Sequence, residues 1–330
     1  MELSAGAAAL SFRSDVLRGI PAVIMSLGAT IRLARPQQWV KNLFVFTALI
    51  FAGQVADPQA ITRALLAFAA FCLASSAIYF LNDYRDVEED KKHPRKRTRP
   101  LASGELPVVV GLVGFFVLAV AAVGLSALLP GHWSMVVVAL YLALNIAYSL
   151  GLKHVVILDV LLLASGFVLR ILAGATALSL LPSTWLVLCG VTISLFLGFT
   201  KRRAEVVLLK ERAKEHRRVL AQYSKAYLDQ AISIVTAATV VGYVLYTVDE
   251  RTIELVGSRA MILNVPFVLY GIFRYLYLVY QTESEDNSGS DPTKTIFTDI
   301  PLLITGTLWG IFSMLIIFFG KSIHGTLFQP

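Results

Sequence analysis

Apolar positions in this chain come in long unbroken runs, without the alternation of a half-buried strand or the narrow stripe of a surface helix. Roughly nine runs approach the 20 or so residues a helix needs to cross a hydrocarbon core. They cover residues 39–56, 58–81, 107–129, 132–150, 155–178, 182–200, 228–248, 262–281 and 298–320. Sustained period-two alternation is missing, which predicts helices that pair their own backbone groups and not porin-like strands. A shorter run, 19–31, lies between Arg18 and Arg32. It is too short to span and predicts an interfacial helix. A secretory signal is the competing reading, disfavoured because Arg32 and Arg35 stand where small cleavage-site residues belong. The expected division is therefore an N-terminal cytoplasmic or interfacial segment, 1–34, and a transmembrane catalytic domain, 35–330. Residues 282–295 have the composition of a disordered loop. Residues 202–222 keep helical character and predict an amphipathic continuation of the sixth span.

Composition agrees with the pattern. The chain is 56% hydrophobic and 15% charged, with mean hydropathy +0.70. Almost nothing is left for a separate soluble domain. Cys72 and Cys189 both fall inside apolar runs, where they read as core fillers and not as a disulfide. The net charge of +7 is unevenly spread. Seven Lys or Arg lie between the second and third runs (Arg85, Lys91, Lys92, Arg95, Lys96, Arg97, Arg99). A second basic group, from Lys201 to Lys225, lies between the sixth and seventh. The connections near 54–57, 130–134 and 179–184 carry none. The positive-inside rule then places the N-terminus and the even-to-odd connections in the cytoplasm and the C-terminus outside. A multi-pass protein of the cell (inner) membrane is expected, with the bilayer as a partner and no nucleic acid. Whether it forms a homo-oligomer is left open.

Candidate chemistry gathers where the second run ends, YFLNDYRDVEEDKKHPRKRTRPLASG. Asn82, Asp83, Asp86 and Asp90 form the pattern N-D-x-x-D-x-x-x-D. Offsets of three and seven return to nearly one helix face, so the three aspartates project together. Stacked like charges repel, and Mg²⁺ is typically held by one or two carboxylates plus substrate phosphates. A metal–diphosphate would relieve the repulsion. Tyr79 lies one turn earlier on the same side. A lone charged run is more often a solvated helix end. Here His93, Lys96, Arg97 and Arg99 follow at once, phosphate ligands beside cation ligands, and that favours a site.

This motif, at the end of the second of nine runs, resembles the first aspartate-rich motif of the UbiA-type polyprenyltransferase superfamily. HPRKRTRPLASG is similar to that family's following loop. Tyr148, Ser149 and Lys153, in AYSLGLK, resemble its Y-S-x-x-L-K element. The resemblance runs from about Arg35 to the ninth run. It implies an all-α polytopic membrane protein, about nine transmembrane helices surrounding a central cavity open to the cytoplasmic side. Members acting on aromatic acceptors carry a second aspartate-rich motif after the sixth span. This chain has FTKRRAEV, with Lys201, Arg202 and Glu205 at that place. Such a corner suits an anion, for example a lipid phosphate, better than a second Mg²⁺. RPQQWVKN, LGLKHVVILDVLLLASGFVLRILAG, GIFRYLYLV and DPTKTIFTD resemble decaprenyl-phosphate phosphoribosyltransferases, which move a phosphoribosyl group from 5-phosphoribosyl diphosphate to a polyprenyl phosphate. That resemblance implies Mg²⁺ on Asn82, Asp83, Asp86 and Asp90, with Asp83 and Asp86 central to catalysis. Lys41, Tyr79, Lys96, Arg99 and Lys153 would contact the donor's phosphates or sugar, Lys201, Arg202 and Glu205 would line the other side of the cavity, and Tyr148 counts among the substrate-binding residues. The polyprenyl tail would enter between helices.

Two arginines sit within runs, Arg170 in the fifth and Arg274 in the eighth. Intramembrane charges are costly and usually face the interior. Arg274 lies about two turns from its run's cytoplasmic end, near enough to reach a phosphate. For Arg170 a structural pair and a ligand role are equally open, with Asp159 as a candidate partner. Asp299 reads as a helix cap. His132, His216 and His324 have no metal-ligand spacing. Two rivals remain among the sequence readings: prenyl transfer from a polyprenyl diphosphate to an aromatic acceptor, and a lipid-linked substrate transporter. Against the transporter, the ionisable clusters sit at one membrane face and not at the midplane.

Overall fold

The computed structural model describes residues 27–94, 96–181, 184–209, 218–281, 295–296 and 298–327. Its elements are helical, with no strand among the described residues. The α-helices are α1 (27–34), α2 (Thr47–Phe51), α3 (Pro58–Arg85), α4 (Val87–Lys92), α5 (Val109–Ser126) and α6 (Trp133–Leu150). They continue as α7 (Leu158–Ala177), α8 (Thr184–Leu209), α9 (Lys225–Val248), α10 (Glu250–Val256), α11 (Val265–Gln281) and α12 (Ile300–Leu327). Among the described residues, eight helical stretches are long and apolar enough to cross a membrane.

The first of the nine expected spans departs from the pattern. Residues 39–56 do not form one α-helix: a 3-10 helix, Pro36–Phe46, leads into the short α2 and a turn. A 3-10 helix climbs about 2.0 Å per residue against 1.5 Å in an α-helix. The segment therefore gains height with fewer residues, and hydropathy alone does not distinguish the two forms. Of the expected interfacial helix 19–31, residues 27–31 belong to α1 and the rest lies outside the described residues. The sixth span does continue past Thr200, as α8 to Leu209. Arg218–Gln222 is a 3-10 turn, and 210–217 lie outside the described residues.

The chain divides into two compact units, residues 1–42 with 69–126, and residues 43–68 with 127–330. In the first unit, Asn42 is fully buried and donates to Ser75 Oγ (3.2 Å) and Cys72 Sγ (3.3 Å), joining the 3-10 helix to α3. Trp39 Nε1 adds a bond to Ser76 Oγ at 3.0 Å. α5 buries Gly111, Phe115, Ala122 and Ser126, a narrow seam at spacings of four and seven, and leaves Val113, Phe116, Val117 and Val120 exposed. In water that surface would be a liability; in a bilayer lipid tails solvate it.

In the second unit α6 packs on α7, α7 on α8, α8 on α9, and α11 on α12. Close approach depends on Gly174: a Cβ there would stand 1.9 Å from the carbonyl oxygen of Val45. Val160, Phe196, Phe199, Leu228, Ile232, Ile272 and Tyr275 belong to one apolar cluster. That cluster also includes Val219, Leu220 and Tyr223, which anchor the Arg218–Gln222 turn to the spans.

Candidate active site

In the first unit two of the three aspartates, Asp83 and Asp90, converge on arginine partners. Helix α3 ends at Arg85 and α4 begins at Val87, so Asp86 occupies a break. Bonds from Asp86 N to Asn82 O (2.9 Å) and from Asp90 N to Asp86 O (2.8 Å) keep the i→i−4 register across it. Asp83 and Asp90 are each 2% exposed. Nη1 of Arg99 donates to Asp83 Oδ1 at 3.1 Å and to Asp90 Oδ2 at 2.6 Å. Arg35 Nη2 donates to Asp83 Oδ1 at 2.5 Å, while its guanidinium lies 4.8 Å from the centre of the Tyr79 ring. Lys96 Nζ is 3.8 Å from Asp90 Oδ1. The Lys96–Thr98 turn folds the basic segment back through Arg97 N to His93 O (3.1 Å) and Arg99 N to Lys96 O (2.9 Å).

Buried carboxylates of this kind persist only when paired, because desolvation costs several kcal/mol per ion. Asn82, Asp86 and Lys41 are half-buried. Glu88, on the exposed side of α4, is held below the usual carboxylate range by its hydrogen bond from Lys91. Arg35 had no place in the sequence-derived ligand set. The available signal was its position before Pro36, where an arginine leads into the first expected span. It adopts a positive φ of 53°, uncommon for a non-glycine residue.

No group of three or more His, Cys, Asp or Glu gathers as a metal-binding cluster among the described residues. The donor set still fits Mg²⁺. That ion commonly takes one or two carboxylates and fills its octahedron with substrate phosphate and water. Asp83 and Asp90 both reach a single guanidinium nitrogen, so their oxygens converge on one small region.

The second unit holds a separate charge network. Arg202 is fully buried, with Nε to Asp159 Oδ2 at 2.6 Å, Nη1 to Glu205 Oε2 at 2.5 Å and Nη2 to Tyr148 Oη at 3.4 Å. Asp159, at 0% exposure, also accepts from Tyr223 Oη at 2.6 Å, and the same hydroxyl accepts from Ile157 N at 2.7 Å. Burial first, then the bond to Asp159, push the Tyr223 phenol well above its ordinary range, so it stays a proton donor. Ile157 has φ 69° and ψ −47°. Positive φ is an outlier for a β-branched side chain, and such strain costs on the order of 1–3 kcal/mol. Lys153, on the Leu152–His154 turn, and Lys201, on α8, are half-buried.

Arg202 is therefore enclosed and engaged with two carboxylates, where the sequence suggested a cation facing substrate. Lys201 and Lys153 are more accessible. The neighbouring Arg203, unassigned from sequence, is also buried. It bonds Asp229 at 2.6 Å and Val279 O at 3.3 Å beneath the Tyr280 ring, 3.8 Å away. Only the run of three cations in KRR hinted at it. Asp159, suggested for Arg170, takes Arg202. Arg170 is buried, donating to Gly166 O (2.6 Å) and Tyr141 Oη (3.3 Å). Arg274 pairs with Asp299 at 2.8 Å, and Asp299 Oδ1 accepts from Leu302 N at 3.0 Å, the expected cap. His132 lies against Trp133, with ring centroids 4.9 Å apart. His216 and the side chain of His324 lie outside the described residues.

Comparison with known proteins places the chain in a family. Residues 42–291 match the model of the UbiA prenyltransferase family. The chain is 35% identical over 283 residues to a decaprenyl-phosphate phosphoribosyltransferase from Corynebacterium glutamicum, covering 84% of this chain and 83% of that protein. A protein of the same name from Mycolicibacterium smegmatis is 34% identical, covering 84% and 89%. Among solved structures, a UbiA homologue from Archaeoglobus fulgidus bound to DMAPP and Mg²⁺ aligns with TM-score 0.65 and 18% identity, covering 90% of this chain and 99% of that one. Long apolar helices, a carboxylate motif at a helix end and a match over most of the sequence converge on one conclusion: this multi-pass membrane transferase belongs to the UbiA prenyltransferase family.

Proposed function

We propose that the chain transfers a 5-phosphoribosyl group from phosphoribosyl diphosphate to a polyprenyl phosphate, releasing diphosphate, on the cytoplasmic side of the cell membrane. The observation carrying this reading is Arg202, buried and neutralised by Asp159 and Glu205 where a second open carboxylate pair would otherwise stand. A corner so arranged has its two described acids, Asp159 and Glu205, engaged by Arg202, which leaves neither as an open ligand for a second metal and suits an anion better. Similarity to phosphoribosyltransferases over most of the chain supports the same choice.

Asp83 and Asp90 would hold the Mg²⁺ of the donor, with Asp86 and Asn82 completing the set. When bound, the ion neutralises charge on the departing diphosphate. Arg35, Arg99 and Lys96 would turn from the carboxylates toward phosphate oxygens, where cations stabilise charge that develops as the bond breaks. The sugar C1–O bond to diphosphate breaks and a C1–O bond to the lipid phosphate forms. The acceptor oxygen is already anionic, so no strong base is needed. The remaining contribution is alignment of the two substrates.

The test is to offer the purified chain Mg²⁺ with either phosphoribosyl diphosphate and polyprenyl phosphate, or polyprenyl diphosphate and an aromatic acid. A phosphoribosylated lipid with stoichiometric diphosphate release is expected. A prenylated aromatic product, or unaltered lipid moved across vesicles, would overturn the reading.

A further inference from the structure

One phenol in the second unit serves two partners at once. A tyrosine hydroxyl has one proton to give and lone pairs to accept with. Tyr223 gives its proton to Asp159 and accepts the N–H of Ile157. Ile157 is the strained residue that opens α7, three residues after the turn bearing Lys153. Its side chain is 42% exposed, so core packing does not explain its conformation. Asp159 in turn grips Arg202, which also meets Tyr148 and Glu205. Tyr148 and Asp159 thus approach the same guanidinium from opposite arms of the segment 148–159.

We propose that Tyr223 is a positioning residue: its hydroxyl holds Ile157 at positive φ and ties the Lys153 turn to the buried Asp159–Arg202 pair. The functional consequence rests on the phosphoribosyl reading, because it is there that Lys153 and Tyr148 contact substrate. Losing the hydroxyl frees the turn to relax and leaves one lone pair of Asp159 and one backbone N–H unsatisfied.

The experiment uses the full chain in lipid nanodiscs. Tyr223→Phe keeps the ring, which stacks near Tyr227 with centroids 6.0 Å apart, and removes only the oxygen. Hydrogen exchange at residues 151–158 is expected to rise about tenfold, the scale of one buried hydrogen bond. KM for phosphoribosyl diphosphate, the donor that Lys153 would contact, should rise by a similar factor, with kcat changed about twofold or less. Ile157→Gly supplies the rescue. Without a Cβ, positive φ carries little strain, so Tyr223→Phe should perturb exchange and KM much less in that background. Unchanged exchange in Tyr223→Phe, or an equal loss in both backgrounds, overturns the proposal. Should Tyr223→Phe fail to fold, a folded double variant supports it and an unfolded one overturns it. Exchange is read without substrate, so its failure sinks the positioning role alone. Absence of phosphoribosylated product from the wild type sinks only the functional reading.

Discussion

Replacing Arg202 by methionine would remove the cation from a site where both it and Asp159 have no solvent exposure. Methionine fills most of the volume and follows the aliphatic stem, so the change isolates the charge. Asp159 would keep the hydroxyl of Tyr223 and lose its ion pair with Arg202 at 2.6 Å. Glu205, with 20% of its side chain exposed, can turn toward water. Asp159 cannot. Breaking a buried pair from one side costs about 3–5 kcal/mol, and the enclosure of Asp159 places this variant inside that range. For a chain larger than 250 residues, at roughly 2 °C per kcal/mol, the midpoint falls by about 6–10 °C. Thermal unfolding of purified protein in one detergent at one scan rate measures it. Adding Asp159→Asn to Arg202→Met neutralises the orphaned charge and should restore about half of the loss, a coupling seen only between interacting residues. An Arg202→Met protein melting within about 1 °C of wild type, or a double variant no better than the single, would refute the claim that this pair is buried and mutually dependent.

Asp86→Ala is expected to lower turnover at least about 100-fold, beyond the loss from an outer-shell metal partner, with an unchanged melting midpoint because Asp86 is half-buried at a helix break; wild-type turnover would remove the metal assignment. Gly174→Ala places a methyl group against the Val45 carbonyl and should cost about 3 kcal/mol or more, at or above the usual range for overpacking, read as lost yield of folded protein; normal yield and melting would show that α7 can retreat. The Asp299 carboxyl is held below its ordinary 3.8, first by the hydrogen bond from Arg274. A depressed carboxylate contributes stability above its unfolded value and loses it as pH falls through the folded one. Asp299→Asn should therefore melt below wild type near neutral pH, with the gap closing under acid conditions below pH 3.8; a gap independent of pH would contradict the ion pair.

Eight of the nine expected spans were legible in the sequence because their cause is local, a run of about twenty adjacent apolar residues; the first, 39–56, was not, since hydropathy does not separate a 3-10 helix from an α-helix. That Asp83 and Asp90 meet was legible for the same local reason, since an offset of seven returns to nearly one helix face. Partner choice was not. Arg35 reaches Asp83 from 48 residues away, Arg202 reaches Asp159 from 43, and Tyr223 reaches Asp159 from 64. Each pairing is the solution to burying several charges together, an energy that does not exist until the helices pack. The sequence marked Arg202 as a cation in an acidic motif's place, and only tertiary structure decided that it turns inward. Ile157 makes the same point through the backbone: its β-branched side chain argues against positive φ, and a hydroxyl 66 residues later holds it there.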